Sequence, residues 1–172
     1  MNLQTAIDYA SRCHAATNHT YDEHPYAFHL SLVAEAAKKF IGDYDEQTQQ
    51  TILAAAWCHD LIEDARETYN DVRKVVGEEV AELVYALTNE KGRNRAERAN
   101  DKYYQGIRET QYATLVKVCD RIANLQHSIN TQSRLAAIYA KEQPNFRSKL
   151  YVEGEYENAW RHLQALVDSV SG

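Results

Sequence analysis

The run Trp57-Cys-His-Asp-Leu-Ile-Glu-Asp64 concentrates four groups able to bind a cation or move a proton: His59, Asp60, Glu63 and Asp64. Positions 59 and 63, and 60 and 64, are each four apart. On a helix all four polar groups would project from neighbouring positions of one face. The stretch before them, Ile52 to Cys58, is almost wholly apolar. Two readings are open at this point. A solvated helix end carries His, Asp and Glu as ordinary residues. Alternatively, carboxylates and an imidazole crowded after a core helix are costly without a compensating cation. A divalent metal would supply that cation, with Glu63 and Asp64 close enough to orient water beside it.

Two more residues raise the same question. His29 falls on the apolar stripe of Leu32, Val33, Ala36, Ala37 and Phe40. Its imidazole is therefore expected to point inward, as a hydrogen-bonded core residue or as a ligand. Asp120 follows Leu115-Val-Lys-Val-Cys119 and precedes Ile122. Aspartates are seldom fully buried unless paired or metal-bound. Lys117 and Arg121 are the ordinary partners at hand.

Taken in order, His29, His59-Asp60 and Asp120 resemble the H…HD…D signature of the HD phosphohydrolase superfamily. More narrowly, the chain resembles the hydrolase domain of the RelA/SpoT alarmone enzymes and their stand-alone small relatives. Pro25-Tyr-Ala-Phe-His29 is similar to that family's Pro-Tyr-x-x-His, and His59-Asp-Leu-Ile-Glu-Asp64 to its His-Asp-x-x-Glu-Asp. Gly77-Glu-Glu-Val-Ala-Glu-Leu-Val84 resembles the helix that follows, and Val116-Lys-Val-Cys-Asp-Arg-Ile-Ala-Asn124 the Lys-x-x-Asp-[Arg/Lys]-x-x-Asn segment. The similarity runs over residues 3–128.

The resemblance implies a compact all-α HD bundle whose metal ligands are His29, His59, Asp60 and Asp120, with manganese the typical ion. The donor set alone suits manganese, iron or zinc. Glu63 and Asp64 would be the catalytic pair. Asn124, one turn after Asp120, would contact substrate near the metal, and Lys117 would pair with Asp120 or with phosphate. Arg95 and Arg98 would face the substrate phosphates, against a bland reading as a solvated basic loop. Tyr139 and Lys141 would close the pocket from the C-terminal side. The implied substrate is a guanosine tetra- or pentaphosphate alarmone losing its 3′-pyrophosphate. The alternatives are an adenosine alarmone, the 2′-phosphate of NADPH, a nucleoside monophosphate, or a catalytically weak nucleotide-binding or antitoxin-like protein. With no synthetase-like domain beside it, the resemblance implies degradation alone.

The chain departs from that family in one place. Ahead of Pro25-Tyr26, the relatives carry an arginine that packs on guanine. Here Thr17 and His19 stand at those places, followed by Thr20-Tyr-Asp-Glu-His24. A guanidinium stacks on a purine in a way that a neutral imidazole matches only partly. His19 and Tyr21 are the candidate replacements for base contact.

The elements that must position these groups read as helices. The chain of 172 residues is sized for one domain, 1–172, with core motifs over 3–128 and C-terminal helices over 131–170 completing it. Six Gly and two Pro leave little material for sheets joined by tight turns. Apolar spacing predicts helices over 3–16, from Pro25 through Phe40, and from Asp45 to His59. Thr68 with Asp71 reads as a capping pair for a helix that Gly77 stops. Further helices are expected over 78–87, 95–110, 114–127 and 131–142. A loop is expected over 89–94, Pro144 reads as a break, and a last helix over 153–170. No window alternates with period two, which predicts an all-α domain.

A net charge of −6 argues against a protein that coats nucleic acid, which needs a broad basic surface. It leaves room for a small phosphorylated ligand, because Lys91, Arg93, Arg95, Arg98 and Lys102 cluster against only Glu97 and Asp101. Asp8, Arg12 and His14 interrupt the first sixteen residues, so neither a signal peptide nor a membrane span is expected. Cys13, Cys58 and Cys119 form no CxxC pair, which fits a reducing cytoplasm. Oligomeric state is left open.

Overall fold

The computed structural model describes residues 1–171. The chain runs through α1 (Leu3–Ala16), a hairpin of β1 (Thr20–Tyr21) and β2 (His24–Pro25), α2 (Ala27–Lys38), α3 (Glu46–Cys58) and α4 (Leu61–Asp64). It continues through α5 (Tyr69–Val76), α6 (Glu78–Ala86), α7 (Arg95–Arg98), α8 (Asp101–Glu109), α9 (Ala113–Asn130), α10 (Leu135–Leu150) and α11 (Glu157–Ser171). The fold is all-α, as the periodicity predicts, apart from the two-residue strands.

Local chemistry accounts for most of the boundaries. The Asn2 side chain accepts from the backbone of Gln4 and starts α1, which buries Ala6, Tyr9, Ala10 and His14 along one stripe. Asp45 caps α3 by accepting from Thr48 N at 2.9 Å. Thr68 and Asp71 form the expected reciprocal capping box at the start of α5.

Two helices are buried on more than one face. In α3, Thr51 through Ala56 and Cys58 are all buried. In α9, buried residues run from Ala113 to Ser128. A helix apolar all round belongs in the middle of a core. Accordingly α3 packs on α1, α2, α6 and α9, while α9 packs on α2, α3, α8, α10 and α11. The helices α2, α3 and α9 meet at the centre; α2 and α9 carry His29 and Asp120, and His59 caps the end of α3.

Four expectations need correction. Pro25 does not open a helix. It ends β2, pairing with Thr20 across a two-residue loop, and α2 starts two residues later. Asp22 (φ 48°) and Glu23 (φ 70°) both adopt positive φ, the conformation that a tight hairpin loop demands. The tetrad of residues 59–64 does not share one unbroken helix. Helix α3 ends at Cys58, and the chain turns at Asp60 before the single turn α4. The expected helix over 95–110 is two helices, because Asn100 leaves the helical conformation to cap α8 through Tyr103 N at 3.0 Å.

Pro144 is no break either, since it lies inside α10. A proline in a helix interior costs about 3 kcal/mol. Burial of Phe146 and Leu150 in the turns after it, where α10 packs on α9 and α11, offsets that cost.

Gly77 joins α5 to α6 at φ 90°, ψ 168°, a region open essentially to glycine alone. A Cβ there would meet no atom within 4 Å, so any cost of substitution is conformational. Gly77→Ala should lower stability by about 1–3 kcal/mol in chemical denaturation. Gly106, inside α8 and equally uncrowded, should behave oppositely, Gly106→Ala gaining about 0.5–1 kcal/mol. Equal shifts for the two variants would refute this account of Gly77.

Candidate metal centre

Three buried side chains, from α2, the C-terminal cap of α3 and α9, converge where these helices meet. Nε2 of His29 lies 2.9 Å from Oδ1 of Asp120, and Nε2 of His59 lies 3.4 Å from the same oxygen. His59 Nε2 also lies 3.0 Å from Oδ2 of Asp60. All four residues are at most 9% exposed. The sequence-predicted ligands are thus brought into one contiguous group.

His59 shows what this group is suited to hold. Its Nδ1 sits 2.7 Å from the Ala56 carbonyl, one turn back in α3. A carbonyl only accepts, so Nδ1 carries the proton, and in the neutral ring Nε2 presents a bare lone pair. That buried atom makes no hydrogen bond, although it faces two carboxylate oxygens. A lone pair and two anionic oxygens aimed at one another repel unless a positive charge lies among them. Histidine anchored through one nitrogen and open at the other is the usual arrangement of a metal ligand. Two imidazoles and two carboxylates fit a divalent cation.

The titration of these groups points the same way. Burial depresses the basicity of His59, but the charges of Asp60 and Asp120 outweigh it and hold the imidazole well above its ordinary value. Burial raises Asp120. The Lys117 ammonium, the hydrogen bond from His29 and the charge of His59 more than reverse this, so Asp120 falls well below the usual carboxylate range. Asp60 is lowered as well, the positive charge of His59 overcoming burial.

The surroundings hold the carboxylates in place. Lys117 Nζ lies 3.2 Å from Asp120 Oδ2, so of its two expected partners it takes the carboxylate. Asn124 Nδ2 donates to Asp120 Oδ1 at 3.2 Å, and its Oδ1 accepts from the Tyr21 hydroxyl at 2.8 Å. Tyr26, whose place in the Pro-Tyr-x-x-His motif carried no assigned role, donates its hydroxyl to Asp60 Oδ2. Arg121, the other ordinary partner considered for Asp120, instead meets Glu142 at 2.9 Å and lies over the rings of Tyr139 and Phe146.

Glu63 and Asp64 stand beside this group. Oxygens of Asp60, Glu63 and Asp64 all lie within 4.8 Å of one another. The short α4 therefore keeps the pair close to Asp60 despite the break in the helix. Glu63 accepts from the backbone of Asn89 at 2.9 Å. Burial, reinforced by the negative charge of Asp60, raises both Glu63 and Asp64. Carboxylates made more basic in this way suit proton acceptance from water. Both open onto a cavity of 640 Å³ that Lys91 and Arg98 also line.

The remaining candidates divide. Arg98 reaches this cavity, whereas Arg95 is turned away and forms an ion pair with Glu142 at 3.0 Å. The His19 ring stacks on Tyr26 (centroids 3.8 Å apart, 16° between planes), with its Nδ1 2.9 Å from Nδ1 of His14. Tyr21 lies on the ring of His29, 4.6 Å between centroids. The two aromatic candidates for base contact thus pack against the centre itself. Tyr139 is half-buried, under the Arg121 guanidinium.

Because the charges of Asp60 and Asp120 raise the basicity of His59, a cation entering the site competes with a proton for that imidazole. Calorimetric titration of manganese in buffers of differing ionisation enthalpy should show proton release near pH 7. Affinity should weaken as pH falls, since the competing protonated form gains population. A heat independent of buffer would contradict this arrangement.

Comparison with known proteins agrees with the geometry. The HD domain family profile matches residues 6–146. Human guanosine-3′,5′-bis(diphosphate) 3′-pyrophosphohydrolase MESH1 is 31% identical over 125 residues, covering 72% of this chain and 68% of that protein. The protein of the same name from Danio rerio is 29% identical, over 72% of this chain and 67% of its own. A guanosine-3′,5′-bis(diphosphate) 3′-pyrophosphohydrolase from Aquifex aeolicus is 30% identical, over 72% of this chain but 17% of that protein. A solved structure, described as a metazoan ortholog of SpoT that hydrolyzes ppGpp, superimposes with a TM-score of 0.73. That likeness is one of fold, at 22% identity over 98% of this chain and 94% of the other. With a family match across most of its length and the family's histidines and aspartates gathered at one buried point, this chain belongs to the HD-domain family.

Proposed function

We propose that the chain is a metal-dependent phosphohydrolase that removes the 3′-pyrophosphate of guanosine tetra- or pentaphosphate. The observation that carries this reading is the adjacency of Glu63 and Asp64 to Asp60, and of Asp60 to His59. A protein that only bound nucleotides would have no use for a raised carboxylate pair beside a cation site. The names of the MESH1 relatives supply the substrate class.

His29, His59, Asp60 and Asp120 are the proposed ligands and manganese the proposed ion. Such a cation would polarise a phosphoryl oxygen and acidify water at the site. Glu63 and Asp64 orient the attacking water and take its proton. The water oxygen bonds to the phosphorus attached to the ribose 3′-oxygen, and that phosphorus–oxygen bond breaks. Pyrophosphate departs, and the 3′-oxygen takes up a proton to become a hydroxyl. Lys117 remains on Asp120 and keeps it ionised. Asn124 ties Asp120 to Tyr21, and so positions the hairpin against the ligands.

Two finer points belong to the same reading. His19 and Tyr21, where the relatives carry an arginine, are the proposed base contacts, so this chain's base preference would rest on aromatic stacking. Free cysteines at 13, 58 and 119 suit a reducing cytoplasm. No described helix is long and apolar enough to cross a membrane.

The test is product analysis with manganese-loaded protein against guanosine and adenosine alarmones, NADPH and simple nucleotides. Pyrophosphate released from the guanosine alarmones is the expected result. Asp60→Ala should lose both bound metal, read by elemental analysis, and turnover. Glu63→Gln should keep the metal and lose activity by about 10²–10⁴-fold. Absence of phosphate or pyrophosphate release from every nucleotide would sink the hydrolase reading, and tight binding without turnover would point to a nucleotide sensor.

A further inference from the structure

Helix α9 starts in the interior without a side-chain cap. Tyr112 enters it from the left-handed region (φ 67°) and makes no capping bond. The amide of Ala113 reaches the Thr110 carbonyl at 3.1 Å, and that of Val116 reaches the Tyr112 carbonyl at 3.1 Å. The amides of Thr114 and Leu115, between them, have no acceptor among the described residues. Both residues are buried, Thr114 at 6% exposed and Leu115 at 1%. Backbone amides at buried positions are almost always paired. The Thr114 hydroxyl also has no partner among the described residues, and its side chain lines a cavity of 470 Å³.

Further donors border the same cavity. Tyr156 accepts from the Tyr112 amide at 3.1 Å, while its own proton has no acceptor among the described residues. Burial pushes this phenol up to about 12, so the proton is present at neutral pH. Arg108 spends one donor on the Lys149 carbonyl and has no carboxylate partner among the described residues. Donors from a helix start, two hydroxyls and a guanidinium, none of them matched by an anion, describe an oxyanion site. The remaining wall is of opposite character. Glu109 and Glu155 line it without an ion pair among the described residues. The rings of Tyr44 and Tyr112 meet beside them at 64°, with centroids 5.4 Å apart.

We propose that this cavity is a second ligand site, for a small zwitterion of the α-amino-acid type. Its carboxylate takes the amides of Thr114 and Leu115 with the hydroxyls of Thr114 and Tyr156. Its ammonium faces Glu109, Glu155 and the tyrosine rings, which attract a cation through their π-systems. A phosphate dianion fits worse, because the two carboxylates repel its second charge. The site is separate from the metal centre. Thr114 precedes Asp120 by six residues on α9, which is about 9 Å of helix. No described residue lines both this cavity and the one onto which Glu63 and Asp64 open. The assignment therefore does not depend on the reaction proposed there.

The experiment is calorimetric binding of the common free L-amino acids and of inorganic phosphate to the intact protein, with manganese and again after EDTA. At least one amino acid should bind, with the same affinity in both conditions. Its N-acetyl derivative, which lacks the ammonium, and its methyl ester, which lacks the carboxylate, should each bind about tenfold more weakly or worse. Thr114→Val should weaken the free amino acid about tenfold, and Thr114→Ser should restore it. Glu155→Gln should weaken it about threefold and leave the N-acetyl derivative unchanged. Should Thr114→Val not fold, Tyr156→Phe carries the same expectation for the carboxylate. Binding of no amino acid, or equal binding of the N-acetyl derivative, overturns the proposal. So does tighter binding of inorganic phosphate, loss of binding with EDTA, or unchanged affinity in the Thr114 and Tyr156 variants.

Discussion

Burying two carboxylates against two imidazoles is the constraint around which this structure is arranged. Removing an ion from water costs several kcal/mol unless a counter-charge and hydrogen bonds replace the lost hydration. Asp120 therefore draws Lys117 and Asn124 from its own helix and His29 from α2. Asp60 draws the Tyr26 hydroxyl, and His59 reaches back to the Ala56 carbonyl. These bonds still leave a histidine lone pair facing two anionic oxygens. The site is complete only with a positive charge between them, a proton on His59 or a divalent cation in its place.

That need explains features that would otherwise count as defects. Helix α3 ends just before the motif, letting Asp60 face His59 while Glu63 and Asp64 turn toward the cavity on a separate turn. The hairpin tolerates two non-glycine residues at positive φ because it is pinned at the entry to its loop. Tyr21 bonds Asn124, and Asp22 pairs with His127 at 2.9 Å, both partners lying on α9. Helix α9 thus presents Asp120 at the centre and also holds the strap that passes over His29.

Much of the site was legible in the residues alone. Each of His29, His59-Asp60 and Asp120 broke the rule that apolar helices bury apolar groups, and a polar residue in an apolar stripe is conspicuous. One helix start was legible from a capping side chain at the right spacing, at Thr68. What escaped were places where tertiary packing overrode local preference. Pro144 stays inside α10 because its flanking residues are buried. Tyr26 gave no sign of its bond to Asp60, since thirty-four positions separate them and twelve tyrosines made any one ordinary.

The basic segment shows the division most clearly. Composition alone identified a cluster of cations suited to phosphate, because charge is a property of residue type. Which cations were available was not readable there, because availability depends on distant carboxylates. Glu142 comes from α10 to claim Arg95, whereas Arg98 has no ion pair among the described residues. The amino-acid sequence by itself determined the helical class and, through spacing, burial pattern and motif order, singled out the histidines and carboxylates that meet at the centre. Only the tertiary structure decided which polar groups were already spent on one another, because hydrogen bonds and ion pairs are settled by proximity in space between residues far apart in the chain.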